Sequence, residues 1–300
     1  MRILVTGAAT GIGRATAIEL TKRGHEVVAT ARRVDALNDL DVADRLQLDV
    51  TDEASVARAI AASGDLDGIV NNAGLSEPGP IEGYPAEALR RVLETNVVGP
   101  VLVSQAVIAQ LRERGGGVIV NVGSVQGRIG IPFGGAYCAS KHALEGFSEV
   151  LRYEIGHFGI RVVLIEPGYI ASGAAYEPGR ERISHGDHLS VYDELRDQWN
   201  GSDDKVAGVR PGPEVVAAAI AVVGRSERVD GNASESARRG AAAHARRQAG
   251  GFDPAGRRWA QPAASALVRS TSSKSTKSCG TGALARTSSP LRGCAKARVS

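Results

Sequence analysis

Residues 2–13 of the chain, Arg2-Ile-Leu-Val-Thr-Gly-Ala-Ala-Thr-Gly-Ile-Gly13, decide the fold. A short apolar run ends at clustered glycines, and from Ile12 to Arg23 apolar residues recur with the period of a helix until Gly24. This pattern predicts a strand, a tight turn and a helix. The glycines let the backbone approach a diphosphate, and the helix start offers unpaired N–H groups to an anion. Taken alone, the turn also fits a plain strand-to-helix connection.

A second motif, Tyr137-Cys-Ala-Ser-Lys141, supplies acid–base chemistry and lies downstream of Ser124. Oxidising an alcohol needs a base for its proton, and the reverse reaction needs the same group as an acid. On a helix predicted from Ala139 to Gly156, Lys141 shares the face of Tyr137. An ammonium at about 4 Å and an effective dielectric near 20 contributes about 4 kcal/mol, which predicts a phenol pKa near neutrality. Ser124 follows an apolar strand at the sheet edge where ligands bind and is predicted to bind the substrate oxygen. A chance Tyr-to-Lys spacing and a turn serine remain the alternatives.

In this order the motifs resemble the short-chain dehydrogenase/reductase family, in its non-extended single-domain branch, from about Met1 to Val223. The segment from Tyr137 to Tyr169 is most similar to the 17β-hydroxysteroid and retinol dehydrogenase group. The resemblance implies a doubly wound parallel α/β sheet (Rossmann fold) and hydride transfer between a nicotinamide and an alcohol, ketone or aldehyde, with Tyr137 as the acid or base and a lipophilic substrate. It implies four catalytic residues: Asn96, Ser124, Tyr137 and Lys141.

Asn96 lies in a predicted long helix from Ala86 to Arg112. By resemblance it holds a water that links Lys141 to a proton relay. An asparagine inside a helix is otherwise disfavoured, although its role could be only to bend the helix.

The resemblance also implies the residues that bind the cofactor. Asp49 is expected to reach the adenine amino group, Gly74 and its neighbours to leave room for the ribose, and Ser172 to hold the carboxamide. The full set, apart from the two arginines treated next, is Gly7, Thr10, Gly11, Ile12, Gly13, Asp49, Val50, Asn72, Ala73, Gly74, Tyr137, Lys141, Pro167, Gly168, Ile170 and Ser172.

The residues after the second predicted strand indicate the cofactor. An acidic residue at this strand end accepts a hydrogen bond from a ribose hydroxyl, whereas a guanidinium matches a 2′-phosphate. Ala31 stands where relatives that prefer NAD carry Asp, and Arg32 and Arg33 follow it. We expect NADP(H) to be preferred, with Arg32 as the main contact and Arg33 as a helper, and NAD(H) to remain possible. Thr10 stands where NADP-specific relatives often carry a second basic residue, and both arginines could instead be solvated surface charges.

The chain changes character after Val223. Residues 1–224 are expected to form the catalytic domain, in which 173–212 are the substrate lid. Residues 225–300 hold fifteen Lys and Arg against four Asp and Glu. They are poor in large apolar residues, so we expect this basic tail to be disordered or the product of a shifted reading frame. A nucleic-acid-binding arm is a weaker alternative, and the apolar last strand of the family is missing after the helix predicted at 213–223.

Other classes are disfavoured. His185 and His188 lack further ligands at a recognised spacing, so no metal is expected, and Cys138, Cys279 and Cys294 have no disulfide or zinc spacing. No signal peptide or membrane-length apolar run is expected, so we predict a cytoplasmic protein without membrane or nucleic-acid partners, and a homodimer or homotetramer. A nucleotide-sugar epimerase would show a different glycine spacing. A non-catalytic nicotinamide-nucleotide-binding protein and an enzyme inactivated by its altered C-terminus remain alternatives.

Overall fold

The computed structural model describes residues 1–171, 187–199, 210–223 and 267–269. Within them, a sheet has the strand order β3-β2-β1-β4-β5-β6-β7. Strands β1 to β6 pair in parallel, as the sequence predicts for a doubly wound fold. The bounds are β1 (Arg2–Val5), β2 (Glu26–Ala31), β3 (Asp44–Gln47), β4 (Gly68–Asn71), β5 (Gly117–Val122), β6 (Ile160–Glu166) and β7 (Leu267–Arg269).

Helices cover both faces of this sheet. They are α1 (Gly11–Lys22), α2 (Glu53–Ala62), α3 (Ala86–Leu93), α4 (Gly99–Glu113), α5 (Gly135–Ile155), α6 (193–199) and α7 (Glu214–Val223). A π-helical turn, Glu94–Val98, joins α3 to α4, so the single helix predicted from Ala86 to Arg112 is continuous but interrupted. Helix α5 begins four residues before the predicted Ala139 and therefore contains Tyr137.

The alternation of side chains along the strands produces two apolar clusters, one on each face. In β1, Ile3 and Val5 pack with residues of α1 and α7, whereas Leu4 packs with residues of α2, α4 and α5. Strands β1, β2, β4, β5 and β6 are buried on both faces, which explains why they are apolar almost throughout, whereas β3 at the edge of the sheet is partly exposed.

The strand order places a crevice at the carboxyl ends of β1 and β4. From β1 the chain proceeds to β2 and β3 on one side, and it then returns to build β4, β5 and β6 on the other. At such a reversal the connections that follow neighbouring strands diverge and leave room for a ligand. The glycine turn follows β1 and the Asn-Asn-Ala-Gly turn follows β4, so both predicted cofactor turns meet at this crevice.

The last strand differs from the expectation that none follows α7. Strand β7 pairs antiparallel with β6, with Val268 opposite Ile165. These three residues belong to the basic tail that was predicted to be disordered. For them the prediction is wrong, because they pair with the edge strand β6. The predictions for the rest of the tail, including disorder, a shifted frame and a nucleic-acid-binding arm, lie outside the described residues.

The helical stretch Ala86–Glu113 contradicts one sequence expectation. By length and composition it is apolar enough to cross a membrane, so the prediction that no apolar run approaches that length is wrong. The core helix of a soluble protein passes the same test, and Val103, Val107 and Leu111 in α4 are buried within the apolar cluster beside the sheet. The stretch is therefore only weak evidence of contact with a membrane.

Candidate active site

A cavity of about 1160 Å³ occupies the crevice at the carboxyl ends of the strands. Its volume exceeds the roughly 300–1,000 Å³ typical of a site for one small ligand. The glycine turn lies at its wall, and so do Ser124 and Tyr137. The cavity thus has room for a dinucleotide together with a second molecule.

The glycine turn between β1 and α1 fits a diphosphate. Gly7 and Gly11 have φ angles of 66° and 57°, which glycine adopts without the steric cost of a Cβ. A Cβ on Gly7 would lie 2.9 Å from the Cα of Ala73, and one on Gly13 would overlap the carbonyl oxygen of Gly7. Thr10 precedes α1 without a side-chain cap, and the first turn of the helix contains no acidic residue. Its N–H groups and partial positive charge are therefore available to an anion.

The Asn-Asn-Ala-Gly turn fixes the glycine turn. The side-chain amide of Asn72 donates to the carbonyl oxygens of Thr6 at 2.9 Å and Gly7 at 3.2 Å. In return, the hydroxyl of Thr6 accepts from the backbone N–H groups of Asn72 and Ala73, each at 2.9 Å. The side-chain amide of Asn71 donates to Oδ1 of Asn121 at 2.8 Å and thereby links β4 to β5.

The far end of the cavity is lined by Ala31, Arg32, Asp49 and Val50. Oδ1 of Asp49 accepts from both the N–H and the hydroxyl of Thr51, at 3.0 and 2.8 Å, which fixes the carboxylate at the cavity wall. The small Ala31 side chain leaves space beside Arg32, whose side chain is exposed at the rim. Arg33 is also exposed but is not among the described residues that line the cavity.

Three of the four predicted catalytic side chains, those of Ser124, Tyr137 and Lys141, lie together at the cavity wall. Ser124 follows β5, and its hydroxyl accepts from the N–H of Gln126 at 3.1 Å, which caps the short turn Val125–Gly127. Tyr137 and Lys141 lie one turn apart on α5. The Lys141 ammonium donates to the carbonyl oxygen of Val122 at 2.8 Å and lies 5.5 Å from the centre of the Tyr137 ring.

The electrostatics of this wall differ from the prediction. Burial raises the pKa of Tyr137 to about 12, opposed by a hydrogen bond with Ser124. Burial also lowers the pKa of Lys141 to about 8. The predicted fall of the phenol pKa toward neutrality is therefore wrong for this arrangement. The ammonium is directed to Val122, and it loses its proton well below the pH at which the phenol ionises.

Asn96 is fully buried in the π-helical turn. Its side-chain amide exchanges hydrogen bonds with the N–H and the carbonyl oxygen of Leu75, both at 2.9 Å, and also donates to Ser140 Oγ at 3.0 Å. Asn96 thus links the loop after β4 to the residue that precedes Lys141. It is not among the described lining residues of the cavity, and its predicted part in a water relay stays a prediction.

Phe133 is a site residue that sequence reasoning missed. Among the described residues it is the only one other than glycine with a positive φ, at 62°, a conformation unfavourable for a bulky side chain. Its carbonyl oxygen accepts from the N–H of Gly79 at 2.8 Å, and its ring lines the cavity four residues before Tyr137. The neighbouring Pro132 and Gly134 signal an unusual backbone, but they do not locate the strain at Phe133.

Part of the segment predicted to be the lid lines the cavity. Leu189, in the short helix Asp187–Tyr192, is 4% exposed and packs closely against Gly83. The Tyr192 hydroxyl donates to Oε2 of Glu82 at 2.6 Å. These contacts join residues 187–192 to the loop before α3. Ser172 and most of the predicted lid, 173–186 and 200–209, lie outside the described residues.

The cavity unites most of the predicted cofactor residues. Of the described ones, only Gly11, Gly13 and Arg33 are absent from its lining, and the two glycines are needed for the shape of the turn. In the described part of the chain, no group of three or more His, Cys, Asp and Glu could hold a metal ion, and His185 lies outside that part. The lining residues from the predicted set are Gly7, Thr10, Ile12, Arg32, Asp49, Val50, Asn72, Ala73, Gly74, Tyr137, Lys141, Pro167, Gly168 and Ile170.

Comparison with models of known families shows which family has this sequence. Residues 1–182 match the family model described as short chain dehydrogenase. The chain belongs to the short-chain dehydrogenase family. Members of this family are NAD(P)-dependent oxidoreductases, and the resemblance inferred from the motifs is confirmed.

Individual short-chain dehydrogenases show the extent of the similarity. The chain is 43% identical over 178 residues to an uncharacterized oxidoreductase, YusZ, of Bacillus subtilis, covering 55% of this chain and 63% of that protein. It is 38% identical to a 3-ketodihydrosphingosine reductase of Bacteroides thetaiotaomicron, covering 57% and 64% of the two chains. It is 37% identical to human retinol dehydrogenase 8, covering 57% and 59%. The chain thus spans less than two thirds of these curated relatives.

A solved structure extends the comparison with short-chain dehydrogenases. The fold matches a short-chain dehydrogenase from Streptomyces avermitilis with a TM-score of 0.66 and 33% identity, covering 76% of this chain and 85% of that one. The doubly wound fold predicted from the sequence is confirmed.

Proposed function

We propose that this short-chain dehydrogenase interconverts an alcohol with a ketone or aldehyde, using NADP(H) and Tyr137 as the acid or base. The observation that carries the proposal is the meeting of Ser124, Tyr137 and Lys141 on one wall of a cavity whose other end holds the glycine turn and Arg32. When bound, the nicotinamide would donate or accept the hydride. Because the three side chains lie at the same wall, one substrate oxygen can contact both the serine and the tyrosine.

Each chain residue then has a defined task. The Ser124 hydroxyl holds the substrate oxygen, and the Tyr137 phenol gives a proton to that oxygen in reduction or takes it in oxidation. The Lys141 ammonium, with a pKa of about 8, is charged at neutral pH. A positive charge at this distance favours the phenolate and opposes the rise caused by burial.

The preference for NADP(H) is part of the proposal. Arg32 lines the cavity directly after Ala31, and a guanidinium can bind a phosphate through two parallel hydrogen bonds. The residue at the end of β2 is Ala31, which has no carboxylate to accept a hydrogen bond from a ribose hydroxyl. NAD(H) binding would therefore be the weaker of the two.

A lipophilic substrate also fits the site. The lining of the cavity includes Ile131, Pro132, Phe133, Leu189 and Trp199. Such a surface stabilises apolar molecules by removing them from water. Two relatives are named a retinol dehydrogenase and a 3-ketodihydrosphingosine reductase, and these names support a lipophilic substrate for the present chain.

One observation favours a second candidate, a nicotinamide-nucleotide-binding protein without turnover. The pKa of Tyr137 is raised to about 12, which makes the phenol a poor base at neutral pH. The antiparallel β7 at the edge of β6 could likewise accompany an enzyme inactivated by its altered C-terminus. Turnover in the presence of bound NADPH separates both from the main proposal.

We further propose a cytoplasmic homo-oligomer. Val150 and Tyr153 on α5 are 55% and 67% exposed, and a second copy could cover them. Cys138 is a buried free thiol, as expected in a reducing compartment. Light scattering of the purified protein measures the molar mass of the assembly. If α5 forms the interface, Val150→Glu is expected to lower this molar mass. Cell fractionation tests the location.

The first experiment is a titration with NADPH and NADH, followed by nucleotide fluorescence. Tight NADPH binding that is lost in Arg32→Ala, and largely kept in Arg33→Ala, supports the cofactor assignment. Equal binding of both nucleotides, unchanged in Arg32→Ala, contradicts it. If NADPH binds, assays with lipophilic ketones and aldehydes follow. Binding without turnover of any of them favours the second candidate.

A further inference from the structure

Arg128 pairs with two acidic residues beside the catalytic wall, the buried Glu166 and the partly buried Glu145. It follows the turn capped by Ser124, and its Nε donates to Oε1 of Glu166 at 2.6 Å. Its Nη2 pairs with Oε2 of Glu145. The two carboxylate side chains are 3% and 12% exposed, whereas that of Arg128 is 43% exposed. Removing a partner from such a pair leaves an uncompensated buried charge.

Each member of the cluster belongs to a different segment of the site. Arg128 lies in the loop that carries Ser124, Glu145 lies on α5, and Glu166 ends β6 directly before Pro167-Gly168. The same segments also touch through their backbones. The N–H of Val125 donates to the carbonyl oxygen of Pro167 at 2.9 Å.

Glu145 is placed to control the presentation of the catalytic pair. Tyr137, Lys141 and Glu145 follow one another at intervals of four residues on α5 and share one face of that helix. Gly127 packs against this face, since a Cβ there would lie 3.1 Å from the carbonyl oxygen of Lys141 and from Cγ of Glu145. Holding Glu145 therefore restricts the rotation and sliding of the face that carries the phenol and the ammonium.

We propose that Arg128 is a positioning residue for the reaction: through Glu145 and Glu166 it fixes Ser124, the Tyr137–Lys141 face and the Pro167-Gly168 turn in one arrangement. Arg128 is not among the described residues that line the cavity, so it acts through its two partners. The inference rests on the proposed function.

The test compares Arg128→Met with the wild type. Methionine keeps an apolar stem and removes both ion pairs. A displacement of 1 Å at a reacting centre can cost about 100-fold in rate, so we expect kcat to fall by about 10- to 100-fold. NADPH affinity should fall much less than kcat, because Arg32 and the glycine turn are separate from the cluster and only the Pro167-Gly168 turn is shared with it. Arg128→Lys should recover part of kcat, since an ammonium can pair with one carboxylate but lacks the planar fork.

A spectroscopic readout makes the test independent of turnover. In protein labelled with ¹³C at the tyrosine ζ carbon, Tyr137→Phe identifies the Tyr137 resonance. We expect Arg128→Met to shift this resonance at neutral pH, because the phenol changes its surroundings.

Arg114→Met is the matched control. The Arg114 side chain is 39% exposed, pairs with Asp67 and donates to the carbonyl oxygen of Leu66 at 2.7 Å, directly before the amino end of β4. It should reduce thermal stability and leave both kcat and the Tyr137 resonance unchanged.

The outcomes separate positioning from simple stabilisation. If Arg128→Met lowers Tm as Arg114→Met does and leaves kcat and the Tyr137 resonance unchanged, the proposal is overturned. If Arg128→Met does not fold, Glu145→Gln takes its place, because it keeps the pair between Arg128 and Glu166. A Tyr137 shift in that variant supports the proposal, and its absence refutes it. If the wild type turns over no substrate, the proposed function fails, while the resonance comparison still decides the role of Arg128.

Discussion

The ammonium of Lys141 lies 5.5 Å from the centre of the Tyr137 ring and is held by the carbonyl oxygen of Val122 at 2.8 Å. Burial moves the two pKa values in opposite directions, to about 8 for Lys141 and about 12 for Tyr137. Both shifts favour the neutral form of each group. At neutral pH Lys141 is still charged, so its burial lowers the free energy of unfolding by an amount that can be measured.

Lys141→Met is expected to stabilise the fold at pH 7 by about 3 kcal/mol, because it removes a buried charge. The folded pKa of Lys141 lies below its unfolded value, so between pH 8 and 10 the folded state binds fewer protons than the unfolded state. Over this window the wild type gains about 1.4 kcal/mol of stability per pH unit, and the advantage of the variant shrinks. Urea unfolding at several pH values measures this. The exposed Lys22, changed to Met, should show no such trend, and a trend of equal size there would contradict the explanation.

Tyr137→Phe is expected to reduce kcat by about 10²- to 10⁴-fold, the usual contribution of a general acid or base, and to keep NADPH affinity. The control is Tyr153→Phe on the same helix, where the side chain is 67% exposed and should not affect kcat. Steady-state kinetics and nucleotide titration give both quantities. Equal activity of the two variants would remove Tyr137 from the reaction.

Replacing Phe133 separates its backbone from its ring. Phe133→Ala and Phe133→Gly both lose the ring, so each should raise KM for a lipophilic substrate. Only alanine keeps the unfavourable φ, so the glycine variant should be more stable by about 1 kcal/mol. Thermal unfolding compares the two variants. Ile129 does not have a positive φ, so there the alanine variant should be more stable than the glycine variant. If glycine is the more stable replacement at both positions, the explanation by strain is wrong.

Gly13→Ala should abolish nucleotide binding, because its Cβ would overlap the carbonyl oxygen of Gly7 and crowd the amide of Asn72. Gly146→Ala on α5 is the comparison, since its Cβ would meet nothing within 4 Å and alanine favours a helix by about 1 kcal/mol. Fluorescence titration measures nucleotide binding, and thermal unfolding measures Tm, for the Gly13→Ala and Gly146→Ala variants. Gly146→Ala should bind the nucleotide and have a raised Tm. Nucleotide binding retained by Gly13→Ala would mean that the turn adapts and does not hold the diphosphate as described.

The sequence predicted the parts of the protein that local patterns determine. The glycine turn, the strands and the spacing of Tyr137 and Lys141 depend on residues close together in the chain. The pKa of Tyr137 could not be predicted in this way, because it depends on burial by distant segments and on the capture of Lys141 by Val122.

Three further features escaped prediction for the same reason. The positive φ of Phe133 accompanies a hydrogen bond from the N–H of Gly79, which is distant in the chain. The Arg128 cluster joins residues that are separated in sequence, and β7 pairs with β6 across about one hundred residues of chain. Such contacts leave no periodic pattern, so they become visible only in the folded protein.

The hydroxyl of Thr6 accepts hydrogen bonds from two N–H groups of the turn after β4 and donates to the carbonyl oxygen of Val70 at 3.3 Å. The Thr6 side chain thus fixes the distance between the turn after β1 and the turn after β4, which form the two sides of the crevice. A substitution at this position would displace both cofactor turns together, so the two turns are expected to evolve as one unit although more than sixty residues separate them.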